Sequence, residues 1–126
     1  MINQIFSLRG ATTIEENTVE QITERSVELM KELLSRNGIG ENPALTVTDY
    51  IISTTADITA FYPARAIRES GIIDAPIFSA QEPSIDGALP LCIRILMRVS
   101  NSGDPVEPKH AYLHKAVNLR KDLSKK

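Results

Sequence analysis

Apolar and polar positions alternate along one stretch of the chain and recur at helical spacing along another, and these two patterns organise the rest. In Cys92–Ser100, "CIRILMRVS", Ile93, Ile95, Met97 and Val99 fall on one face and Cys92, Arg94, Leu96 and Arg98 on the other, because side chains alternate along a strand. In "NTVEQITERSVELMKELLSRNG", Val19, Ile22, Leu29, Met30, Leu33 and Leu34 form one apolar stripe, which predicts an amphipathic helix. Thr18 with Gln21 is a capping-box pattern, Arg36 falls in the last turn and Gly38 stands where a C-terminal cap is expected.

The remaining elements follow from shorter signals. Gln4–Ile14 is β-branched and apolar around Gly10 and reads as a first strand. Tyr50–Thr55, Ala75–Ala80 and His110–Leu119 read as further strands. "GENPALTVTD" and "PSIDGALPL" read as loops with room for a helical turn each. In "FYPARAIRESG", Pro63 suits the first position of a short helix and Gly71 its end. The predicted order is β-α-β-α-β-β-β. That makes an α+β fold, a single domain over residues 1–120 with one main sheet and helices on one face, followed by a polar tail over 121–126.

Composition narrows the function classes. The 126 residues are 42% apolar and 24% charged, as in a globular domain able to bury a modest core. No apolar run approaches the ~20 residues that span a bilayer, and the N-terminus lacks the pattern of a secretory signal. A cytoplasmic protein with no membrane role is expected. The single cysteine, Cys92, forbids an internal disulfide and suits a reducing compartment. A net charge of −2 argues against a broad nucleic-acid surface.

Arginine is the residue type whose placement needs explaining. Of the eight, Arg25 and Arg36 lie on the long helix and read as solvated surface. Arg65 and Arg68 sit i,i+3 on the short helix, Arg9 lies toward the end of the first strand, just before Gly10, and Arg120 follows the last strand. Arg94 lies inside the strand predicted over Cys92–Ser100. A single arginine ordinarily pairs with an acidic residue or faces water. Several near strand ends can converge, and guanidinium groups bind carboxylates and phosphates through paired hydrogen bonds. Glu82, just after the third strand, and Tyr112 are the other candidates. His110 and His114 would share a strand face with Tyr112, but two histidines without a third ligand make a poor metal site. Cys92 reads as a buried, inert thiol. No catalytic triad or phosphate loop matches. The residues taken alone point to recognition of a small polyanion, with or without chemistry.

Five segments in order, "LRGATTIEENT", "FYPARAIRE", "PIFSAQE", "LCIRILMRV" and "AYLHKAVNLR", resemble the small, monofunctional, homotrimeric class of chorismate mutase, which is distinct from the all-helical class. The resemblance implies mixed-sheet subunits packed as a trimer around a barrel-like core, with active sites in clefts between adjacent subunits. It implies the Claisen rearrangement of chorismate to prephenate, part of aromatic amino acid biosynthesis, without cofactor, metal or covalent intermediate. Such an enzyme holds a dianion in a compact conformer and stabilises charge on the breaking ether oxygen.

Residue by residue, the resemblance makes Arg94 the donor to that ether oxygen. It makes Arg9 the partner of the side-chain carboxylate, with Tyr112 close by, and Glu82 the acceptor from the ring hydroxyl. Ser79 stands where the family often has cysteine. Arg65, commonly lysine in the family, and Arg68 match cations at the cleft mouth. Tyr62 replaces a frequent phenylalanine in a cleft wall. Leu119 and Arg120 match a C-terminal segment that folds over the site. Departures fall at Lys121, where proline is usual, and at Pro90 and Leu91, where more polar residues are usual. Two other readings carry less of the sequence. One is a trimeric imine/enamine deaminase, which also binds a carboxylate by arginine at a subunit cleft. The other is a non-catalytic trimer binding small carboxylates.

Overall fold

Strand pairing decides the architecture of the computed structural model, which describes residues 1–120 and Asp122. β1 (Gln4–Thr13) and β4 (Cys92–Asn101) pair antiparallel over their full lengths. β4 also pairs antiparallel with β2 (Leu45–Thr54), β2 parallel with β3 (Ile77–Gln81), and β1 parallel with β5 (Ala111–Tyr112). The sheet is therefore mixed, in the order β3-β2-β4-β1-β5. The predicted element order and α+β class hold.

α1 (Val19–Arg36) and α2 (Pro63–Ser70) cover one face. Ile22, Leu29, Met30 and Leu33 of α1 and Ile67 of α2 are fully buried against Leu8, Ile52, Ile93, Ile95, Met97 and Val99. Gly10 permits that approach: a Cβ there would stand 3.0 Å from Leu29 and Leu33 methyl carbons and 3.2 Å from the Ala111 carbonyl. The Thr18 hydroxyl caps α1 by accepting from the Gln21 amide at 3.2 Å. Gln21 does not close the box on Thr18, however, and accepts instead from the Glu15 amide. Gly71 ends α2 in the left-handed region at φ 69°.

Among the described residues, the opposite face of the sheet carries no α-helix. Ile5, Ile51, Phe78 and Leu96 stand on it, 42 to 68% exposed. Leu96, Ile51 and Phe78 fall in one row across three strands, with Arg9 completing the row on β1.

Three expectations need correction. β2 begins at Leu45, five residues earlier than Tyr50, because a bulge between Val47 and Asp49 breaks the alternation. Leu45 and Val47 point inward before it, and Tyr50 and Ile52 after it. The last strand, expected over His110–Leu119, is only Ala111–Tyr112. His114 adopts φ 53°, and a 3-10 helix over His114–Asn118 follows. The segment 83–91 holds a β-turn, closed by the Ala88 amide on the Ile85 carbonyl at 3.1 Å, rather than a helical turn. The expectations for Lys121 and the rest of the 121–126 tail, Asp122 apart, lie outside the described residues.

Candidate functional site

Arg94 sits near the middle of the uncovered face. Its row across the sheet runs Tyr112, Ala11, Arg94, Ser53, Ala80. Small neighbours at Ala11, Ser53 and Ala80 leave room for a guanidinium to lie along the face. Glu82, one step past β3, turns back over Ser53 and accepts a hydrogen bond from its hydroxyl. One Glu82 oxygen stands 3.7 Å from the Arg94 Nε, an ion pair too long for a hydrogen bond. That Nε is buried and makes no hydrogen bond. On the same face, two residues before Arg94, the Cys92 thiol is buried. Burial pushes its pKa up, and the Arg94 cation and hydrogen bond oppose that.

A cleft of about 400 Å³ is lined by Arg9, Ser53, Glu82, Arg94, Tyr112 and Arg120, with apolar walls from Ile51 and Leu96. Three guanidinium groups thus surround one tyrosine. Burial raises the Tyr112 pKa, while Arg120, Arg9 and Arg94 oppose the shift, in that order. The phenol stays protonated at neutral pH and is available as a hydrogen-bond donor. Arg120 grips Asp122 through Nε and Nη2, at 3.1 and 2.8 Å, which lowers the Asp122 pKa. Leu119 packs on the small cluster of Ala11, Cys92, Tyr112 and Ala116.

Tyr62, Arg65 and Ser79 lie elsewhere. They line a larger cavity of about 730 Å³ with Ile52, Phe61 and Gln81, on the helix side of the β3 edge. Ser79 is in register with Ile52, and so faces away from Glu82. Arg65 pairs with Glu69 at 2.9 Å and lies over the Phe61 ring. Arg68 is exposed on α2 and lines neither cavity. Its charge is felt by Tyr50, whose hydroxyl is buried and has no hydrogen-bond partner. Burial pushes that pKa up to about 12, against the Arg68 charge. Arg68 apart, the predicted site residues therefore separate into a group around Arg94 and a group around Ser79.

Two arginines read as solvated surface are structural. Arg25 is buried and donates to the Thr13 carbonyl. Arg36 donates to the His110 carbonyl at 2.9 Å while pairing with Glu32 at 3.0 Å. The histidines do not share a strand face with Tyr112. His110 Nδ1 accepts from the Arg9 amide at 2.9 Å, and His114 pairs with Glu28 on α1. Burial, with Arg9 and then Arg120, lowers the His110 pKa. Ser53 and His110 support the site without having been singled out for it. In sequence each is one polar residue among several, and the contacts that give them roles span 29 and 101 positions. Among the described residues, no group of three or more His, Cys, Asp or Glu could hold a metal ion, and no helix is long and apolar enough to cross a membrane.

Residues 5–123 match the family model for chorismate mutase type I. The chain is 36% identical to chorismate mutase AroH of Bacillus subtilis over 121 residues, covering 95% of this chain and 93% of the relative. It is 38% identical to chorismate mutase AroH of Thermus thermophilus over 119 residues, covering 94% and 96%. Among solved structures, a chorismate mutase from Clostridium thermocellum superposes with a TM-score of 0.78 at 33% identity, covering 88% of this chain and 96% of that one.

Proposed function

The chain belongs to the type I chorismate mutase family, and on that premise we propose that it rearranges chorismate to prephenate in the cleft built around Arg94. The observation that carries this reading is the convergence of Arg9, Arg94, Arg120, Tyr112 and Glu82 on one cleft about 400 Å³ in volume. The reaction is unimolecular: one C–O bond breaks as one C–C bond forms, and no proton changes hands. The protein's task is to hold a dianion in the reactive conformer and to stabilise charge that grows on the ether oxygen.

Arg94 is the group placed for that second task. Its Nε is buried, makes no hydrogen bond and is mounted on a central strand, so it can meet developing charge with little reorganisation. Glu82, held by Ser53, accepts from the ring hydroxyl. Arg9 and the protonated Tyr112 take the side-chain carboxylate. Arg120 and Leu119 close the C-terminal side.

Tyr62, Arg65 and Ser79 act on the same substrate from a neighbouring subunit, with Arg68 adding positive charge near the mouth. Two features support a homotrimer with composite sites: the division of the predicted residues into two groups, and the apolar row of Leu96, Ile51 and Phe78 on the uncovered face. A cytoplasmic location fits the single free thiol at Cys92. Incubation with chorismate, followed by proton NMR, tests the activity. Prephenate is expected as sole product, at a rate above the spontaneous reaction. Chorismate or prephenate binding without turnover would contradict the catalytic assignment and favour a carboxylate-binding protein.

A further inference from the structure

We propose that Asp57 is a positioning residue for Arg94, acting through the backbone at the start of β4. The inference rests on the reading of Arg94 as the cation that meets the ether oxygen.

β4 begins at Cys92, and the residue before it, Leu91, is left-handed at φ 50°. L side chains avoid that region because Cβ crowds the following carbonyl oxygen. Glycine would adopt it freely, whereas a leucine must be held there. The hold comes from the loop after β2. Both carboxylate oxygens of Asp57 accept from the Leu91 amide, at 3.2 and 3.0 Å. The Thr55 hydroxyl donates to Asp57 Oδ1 at 2.5 Å and accepts from the Cys92 amide at 3.0 Å. The Thr55 amide donates to the Cys92 carbonyl at 3.1 Å, and the Ile14 amide to the Leu91 carbonyl at 3.0 Å. Asp57 therefore fixes one amide directly and the next through Thr55.

Arg94 follows two residues later, on the same face as Cys92. Its Nε makes no hydrogen bond, and the nearest carboxylate is 3.7 Å away. No bond at that atom locates the guanidinium. Its place is inherited from the β4 backbone. Asp57 itself lies outside the cleft, on a smaller cavity of about 260 Å³ lined by 83–86 and 88–90. A carboxylate that never touches substrate thus sets the height of the cation that does. The bonds it makes are charge-assisted and point at backbone, so they fix the placement of the strand that carries Arg94.

The test is a double-variant cycle on chorismate turnover. Asp57→Ala is expected to lower kcat by about 10-fold or more, the scale of a small misplacement, while KM changes little. Asp57→Asn keeps one acceptor for the Leu91 amide and should lose less. Leu91→Gly, which removes the conformational demand, should recover part of the Asp57→Ala loss. In an Arg94→Ala background, Asp57→Ala should cost nothing further in kcat. Wild-type kcat for Asp57→Ala, or the same fractional loss with and without Arg94, would overturn the proposal. If Asp57→Ala does not fold, Asp57→Asn carries the same cycle. Near-normal kcat for Arg94→Ala alone would instead overturn the reading of Arg94, and that variant reports it without reference to Asp57.

Discussion

His110 illustrates how a single side chain can hold a site it does not line. Its Nδ1 accepts from the Arg9 amide, so the imidazole must be neutral for that bond to exist. Burial and the nearby Arg9 and Arg120 charges lower its pKa below the ordinary value. The unfolded chain then binds the proton more readily than the folded one. The contribution to stability is complete above about pH 6.5 and is lost as pH falls through the lower, folded-state value. Urea midpoints measured across this range should fall on acidification, and His110→Gln should flatten the dependence. An unchanged slope in His110→Gln would place the titration elsewhere. Arg94 stood out in the sequence because it lies within the apolar run from Ile93 to Met97, and the resemblance supplied the role proposed for it. His110 was not, because its partner is a backbone amide 101 positions away, and backbone amides carry no sequence signal.

At the scale of elements, the helices and β4 were legible and the two irregular strands were not. α1 and α2 announce themselves by stripe, cap and terminal glycine, each of which acts within a few residues. The alternation of β2 changes phase at the bulge between Val47 and Asp49, so periodicity finds only the half beyond it. The segment after Tyr112 is apolar enough for a strand, and the left-handed turn at His114 redirects it along β1. There Lys115 donates its amide to the Thr13 hydroxyl at 3.2 Å. Arg9 and Tyr112 come together because β5 pairs with β1 at Gly10 and Ala11, and Gly10 lets α1 pack closely over that pairing. Gly10→Ala should push α1 outward and destabilise the fold by about 1–3 kcal/mol, as overpacking does. Chemical denaturation measures this, and a loss under about 0.5 kcal/mol would mean the Leu29 and Leu33 side chains can yield freely.

The whole molecule carries an unfinished surface. A sheet covered by α-helices on one face only, with Ile5, Ile51, Phe78 and Leu96 on the other, presents the kind of exposed apolar patch that marks an interaction site. Arg9, Glu82 and Arg94 open onto that same face, and Tyr62, Arg65 and Ser79 onto the helix side. In the composite site proposed above, the two groups meet across a subunit boundary, so assembly and activity should fail together. Phe78→Asp is expected to shift sedimentation from trimer to monomer and to remove turnover in the same preparation. A fully active monomer would contradict the composite site. None of this was visible in the bulk composition, which fits a monomer as well as a trimer; it depends on which strand positions the helices leave uncovered.

Arg94, fixed on β4, is proposed to lower the barrier by meeting charge on the breaking ether oxygen. The most direct measurement is the initial rate of chorismate loss, followed by ultraviolet absorbance at saturating substrate, for the unaltered protein and for Arg94→Ala. The account predicts a rate well above the spontaneous background, with kcat reduced by at least ~10²-fold in the variant, the scale seen for removal of one electrostatic donor. No acceleration by the unaltered protein, or a loss of kcat below about tenfold in the variant, would contradict it.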